Sequence, residues 1–187
     1  MPVAFHQVPL SFLQSFSHVN DTRRQRYLAM VSWLDAAVGS TLDQLHSKRM
    51  YANTLVLFSS DNGGPVYFGG SGGANNHPLR GGKTSNFEGG IHVNAWVSGG
   101  ALPSGMRGSK LTGLGALWDV YATFAALAGA DPFDHRAAAA GLPAVDSINL
   151  WPYWSGEERR SARRRLEIGS TTCEDPTQPG CFNKVSE

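Results

Sequence analysis

The stretch that decides the reading is LFSSDNGGPVYFGGSGGANNHPLRGGKTSNFEGG, residues 57–90. An apolar run delivers an Asp-Asn pair, Asp61 and Asn62, into a glycine-dense loop. Upstream, TLVLFSS (54–60) is β-branched and aromatic with little alternation, the pattern of a strand covered on both faces. Ten of the chain's 22 glycines lie between Gly63 and Gly90. That density excludes helix and ordinary strand. Glycines let backbone N–H groups approach a ligand closely, and a long loop of this kind inside a compact domain is usually functional.

Working outward, Asn20 or Asp21 can cap a helix with a side-chain oxygen. Tyr27, Val31, Leu34, Val38, Leu42 and Leu45 then recur at steps of three and four. They predict an amphipathic helix over 21–46, packed near the 54–59 strand. Gly39 weakens it slightly, and residues 1–20 read as irregular. A helix followed by a buried strand is half of an α/β unit. On the other side, IHVNAWVS (91–98) predicts a second strand. ALWDVYATFAALAG (116–129) predicts a helix ending at Gly129, with Pro132 as a stop. HRAAAAGLP reads as a linker, and DSINLWPYWSG (146–156) as an aromatic segment on the edge of the core. EERRSARRRL (157–166) reads as a solvated charged face or helix, in preference to a nucleic-acid patch.

The chain has 187 residues, 41% of them hydrophobic, which suits one domain or a piece of a larger one. Its net charge of +1 points neither to nucleic acid nor to an anionic membrane. No apolar run approaches the roughly 18 residues of a membrane span. The opening MPVAFHQVPLSFLQSF has no basic n-region and does not read as a signal peptide. Cys173 and Cys181 lie close together in a Pro-containing tail, as a disulfide loop or as two thiols.

The carboxyl ends of strands in open α/β sheets are where ligands bind. Asp61 and Asn62 offer a carboxylate and an amide oxygen, hard ligands for Ca²⁺ or Mg²⁺. Two oxygens leave most of such a shell to other groups, and Asp-Asn-Gly-Gly is equally a turn after a strand. Lys83, in Arg-Gly-Gly-Lys-Thr, is a point charge suited to a phosphate or sulfate. A P-loop is a poor reading, because its first glycine would fall on His77, followed by Pro78.

Taken together, NTLVLFSSDNGG (53–64) and NNHPLRGGKTSNFEGGIHV (75–93) resemble the sulfatases, most closely the arylsulfatase B-like group. YLAMVSWLDAAVGSTLDQL resembles the family helix before the strand, and LWDVYATFAALAG the helix after it. GLPAVDSINLWPYWSG resembles a later family segment, so the resemblance covers roughly residues 4–156. It implies an alkaline-phosphatase-like α/β fold and a site for sulfate-ester hydrolysis. By that resemblance Asp61 and Asn62 are Ca²⁺ ligands and Lys83 contacts a sulfate oxygen. His77 lies at the substrate edge or is only a loop residue, Arg80 and Glu88 are structural or support the groups that contact the ligand, and His92 is structural. A family His that contacts sulfate falls on His6 in one alignment and on Val3 in another. The implied substrates are sulfate-ester small molecules or sulfated glycans, and the implied location is the secretory pathway, lysosomal or extracellular.

Family members carry a Cys or Ser in a C/S-x-P/A-x-R segment, an Asp-Asp pair, and early Arg, Lys and His residues, which this chain does not show. The expectation is therefore the later part of a sulfatase catalytic domain over 1–156 with a tail over 157–187, and no turnover by the chain alone. The other reading is a non-catalytic sulfatase-like protein that binds an anion or metal weakly.

Overall fold

The computed structural model describes residues 7–66 and 72–168. The described residues divide into two compact units, one built from 7–52, 58–66 and 72–96 and one from 53–57 and 97–168. His6, Cys173 and Cys181 lie outside the described residues.

In the first unit, α1 (Leu10–Gln14) packs on α2 (Thr22–Ser47). The expectation of irregular structure up to residue 20 missed α1. Asp21 caps α2 by accepting a 2.7 Å hydrogen bond from Arg24 N. At the other end Arg49 takes a left-handed φ of 58°, Arg49 N donates to His46 O, and Met50 N donates to Leu45 O. That is a Schellman stop made by a non-glycine residue. Only Ala29 of α2 is buried, and Val31 and Leu34 of the expected apolar face are exposed. The helix forms where periodicity puts it, but among the described residues little of its face is covered. Its first turn holds the glycine loop: Arg24 Nη1 donates to Gly73 O at 2.9 Å.

β1 (Val56–Ser59) and β2 (Ala95–Ser98) pair antiparallel, and the division between the units falls within both strands. In the first unit Ser60 N donates to Asn94 O, and Phe58 stacks on Trp96 at 5.2 Å. β1 is half-buried throughout, not buried on both faces, because among the described residues β2 is its one neighbour. Within the 91–98 segment, the chain first completes a helical turn, α3 (Glu88–Ile91), before entering β2.

The second unit gathers α4 (Asp119–Leu127), α5 (His135–Ala139) and α6 (Trp151–Trp154). α4 ends at Gly129 (φ 69°) with Ala130 N donating to Ala125 O, as its composition predicts. The expected linker at 135–143 contains α5, because Asp134 caps its start and Gly141 (φ 69°) closes its end. Leu150 and Tyr153 are buried, as the aromatic segment suggested.

The centre of this unit is an ion pair. Asp119 is fully buried, and Arg163 clasps it with Nε to Oδ2 and Nη2 to Oδ1, each at 2.7 Å. The same carboxylate accepts from Ala116 N at 2.8 Å and Ile148 N at 2.9 Å. Thr123, also fully buried, donates to Asp119 O and accepts from Leu150 N. Residues 157–166 are thus no uniform solvated face: Ser161 and Arg163 are buried, because a bidentate partner and three other acceptors receive the guanidinium.

Burial alone would raise the Asp119 carboxyl, but the Arg163 hydrogen bonds and the Ala116 and Ile148 amides outweigh it and hold the group below the usual carboxylate range. A depressed native pKa stabilises the fold above the unfolded value of about 3.9, and that stabilisation is lost as pH falls through the native value. Asp119→Ala, which leaves Arg163 buried and unpaired, is expected to cost about 3–5 kcal/mol in urea unfolding. Urea midpoints measured down to acid pH should show a loss of stability in the native chain that Asp119→Asn lacks.

Candidate functional site

The site is built from glycine packing. Gly63 N donates to Gly90 O at 2.8 Å, and Gly89 N donates to Arg80 O at 2.7 Å. A Cβ on Gly82 would run into Gly64 O, and one on Gly89 into the carbonyls of Arg80 and Gly81. Backbone therefore lies directly on backbone, at separations that only glycine permits. Asn76 fastens the layers: its Oδ1 accepts from Gly64 N at 3.0 Å, and its Nδ2 donates to Gly64 O and Gly81 O. Lys83 N completes the join by donating to Gly64 O at 3.1 Å.

This arrangement corrects one expectation. Six amides among the described loop residues do not point to an open ligand position. Those of Gly63, Gly64, Gly82, Lys83, Gly89 and Gly90 are all satisfied within the loop, Gly82 N by Ser85 Oγ at 3.1 Å. A phosphate-cradling P-loop needs free amides at Gly82 and Lys83, so that reading falls. Side chains remain to do any binding.

Of the predicted site residues, the fold ties Asp61-Asn62 to Lys83 through Gly64. Asp61 and Lys83 are exposed. Asn62 is half-buried, and its Nδ2 donates to Gly63 O at 2.8 Å, which leaves Oδ1 facing away from that bond. His77 is exposed beyond a cis bond to Pro78, and its backbone N donates to Asn75 Oδ1. Arg80 lies over the Phe87 ring at 4.1 Å, and Glu88 pairs with His92 Nδ1 at 2.6 Å on the exposed side of α3.

Asn62 Oδ1 and the Asp61 carboxylate have the donor chemistry for a hard cation. They are two oxygens only. Among the described residues, no group of three or more His, Cys, Asp or Glu side chains gathers as a metal site.

Asn76 and Ser85 are the residues that reading the sequence missed. The signal was there in the Asn75-Asn76 pair between two glycine clusters, since Asn readily bonds backbone in turns.

Known proteins can now be set beside this geometry. The sulfatase family model matches residues 1–130, and the chain belongs to the sulfatase family. Mouse arylsulfatase J is 34% identical over 122 residues, 65% of this chain and 19% of that protein. Human N-acetylgalactosamine-6-sulfatase is 33% identical over 133 residues, 70% of this chain and 23% of that protein. The choline-sulfatase of Rhizobium meliloti is 32% identical over 141 residues, 73% of this chain and 23% of that protein. The chain thus spans about a fifth to a quarter of the length of these relatives. The crystal structure of Ps i-CgsB matches 84% of this chain and 32% of its own, at 32% identity and a TM-score of 0.71. The same protein in complex with k-i-k-neocarrahexaose gives a TM-score of 0.68. The fold is that of the alkaline-phosphatase-like sulfatases, α/β in class.

Two glycine substitutions test the packing. Gly82→Ala should destabilise the chain by about 1–3 kcal/mol in thermal or urea unfolding, because its Cβ would meet the Gly64 carbonyl oxygen, which is backbone and cannot swing away, as well as the Asn76 and Val66 side chains. Gly39→Ala, in α2 with nothing within 4 Å of the added carbon, should gain about 0.5–1 kcal/mol.

Proposed function

We propose that the chain serves sulfate-ester hydrolysis by holding the sulfate group and its cation. The observation that carries this is the bond from Lys83 N to Gly64 O, two residues beyond Asn62, within a matched sulfatase segment. Lys83 Nζ binds a sulfate oxygen and offsets charge that develops on the transferred group. Asp61 and Asn62 supply two of the oxygens of a Ca²⁺ site, and a bound cation there would neutralise a second sulfate oxygen. His77, exposed on the same loop, contacts the rest of the ester. His6 is proposed to meet the same sulfate. The substrate class is a sulfate ester, small or on a glycan, and the location is the secretory pathway. Among the described residues no helix is long and apolar enough to cross a membrane.

A second reading, binding without turnover, has its own support: Asp61 and Lys83 are both exposed, so the described residues do not wall the site off from water. Exposed charge pairs contribute about 0–1 kcal/mol. Weak Ca²⁺ and sulfate binding is therefore expected from the chain, with turnover of a chromogenic aryl sulfate at background.

Titration with sulfate in the presence of Ca²⁺, followed by calorimetry and by amide chemical shifts, tests the assignment. Lys83→Ala should abolish the sulfate response, and Asp61→Ala the Ca²⁺ response. A sulfate response unchanged in Lys83→Ala would overturn the role given to Lys83. Turnover above background that vanishes in that variant would show catalysis and set aside the second reading.

A further inference from the structure

The segment after Gly156 carries Arg159, Arg160, Arg163, Arg164 and Arg165, while the whole chain has a net charge of only +1. Arg163 alone turns inward. Its side chain is bound to Asp119 and Asp146, and its N–H donates to Ser161 Oγ at 3.1 Å. Ser161 Oγ in turn donates to Leu114 O, and Glu158 N donates to Pro152 O. The backbone between 158 and 163 is thereby anchored from both ends and from below.

Arg159, Arg160, Arg164 and Arg165 are exposed, two on either side of that anchor. Among the described residues, none of these four guanidiniums has an ion-pair or hydrogen-bond partner. Three carboxylates flank the run: Glu157, which accepts from Ser155 Oγ at 3.0 Å, Glu158 and Glu167. They bound it, and none lies between residues 159 and 165.

We propose that these four arginines, in the second unit, form a docking surface for sulfated polysaccharide that does not use Lys83 of the first unit. A guanidinium presents paired N–H donors that match two oxygens of a tetrahedral oxyanion, which a lysine cannot do. Holding the backbone still lowers the entropy lost when the arginines engage a chain of such groups. Single-stranded nucleic acid would also want exposed aromatic platforms for its bases; residues 155–168 contain no aromatic residue, and of those just before them Tyr153 is buried and Trp151 and Trp154 are half-buried. The choice of sulfate over phosphate rests on the sulfatase reading above.

Heparin is the probe, with unsulfated dextran and a DNA duplex of matched charge alongside. The full chain is expected to bind heparin with a steep salt dependence and to ignore dextran. Replacing Arg159, Arg160, Arg164 and Arg165 together by Ala should weaken heparin binding about tenfold or more, with an unchanged circular dichroism spectrum. A charge-matched control, Lys48→Ala, Arg49→Asn, Lys110→Ala and Arg136→Ala together, should weaken it far less. Equal losses in the two variants would overturn the proposal, as would duplex DNA binding as tightly as heparin. Lys83→Ala should keep its heparin binding, so failure here and failure of the sulfate titration are told apart.

Discussion

Everything proposed for the site depends on one contact, the Asn76 amide that joins Gly64 to Gly81. A single side chain satisfies one N–H and two carbonyls of segments that are far apart in sequence. Around it, glycines allow the Asp61-Asn62 turn, the Lys83 turn and α3 to stack with no side chains between them. Leaving buried backbone groups unpaired costs about 1–3 kcal/mol each, so Asn76 cannot be exchanged freely. Among the described residues the loop is a scaffold of hydrogen-bonded backbone, and its exposed charges are Asp61, Arg80, Lys83 and Glu88.

The second unit solves a different problem with a different device. Among the described residues, a few apolar side chains, Leu102, Ala116, Ala122, Leu150 and Tyr153, are buried there besides polar groups. Asp119 organises the rest by collecting two amides and a guanidinium. Such a pair adds little over a well-packed apolar core, but losing one partner strands a buried charge. It also specifies structure: the 157–166 segment is fixed because Arg163 has one place to go.

Much of this was legible in the sequence. The span of α2 followed from apolar spacing and its start from Asp21, but not the face it covers, since Val31 and Leu34 are exposed. The end of α4 followed from Gly129. The motif string from Asn53 to Val93 pointed to the family that the sulfatase model matches. What was not legible depended on distant partners. Nothing local distinguishes Arg163 from its neighbouring arginines, since its burial depends on Asp119, 44 residues away. The glycines were read as openings for a ligand because composition shows freedom of approach, not what does the approaching. α5 was missed because its alanines have no apolar period, although Asp134 and Gly141 marked its ends.

Backbone amide hydrogen exchange, resolved by residue, tests the central claim most directly. If the loop is a closed scaffold, the amides of Gly63, Gly64, Lys83, Gly89 and Gly90 are protected well beyond unfolded-chain rates, and Asn76→Ala releases them together. If the loop is instead an open amide cradle, Gly82 and Lys83 exchange at unfolded-chain rates and slow only when sulfate is added, which would contradict the account.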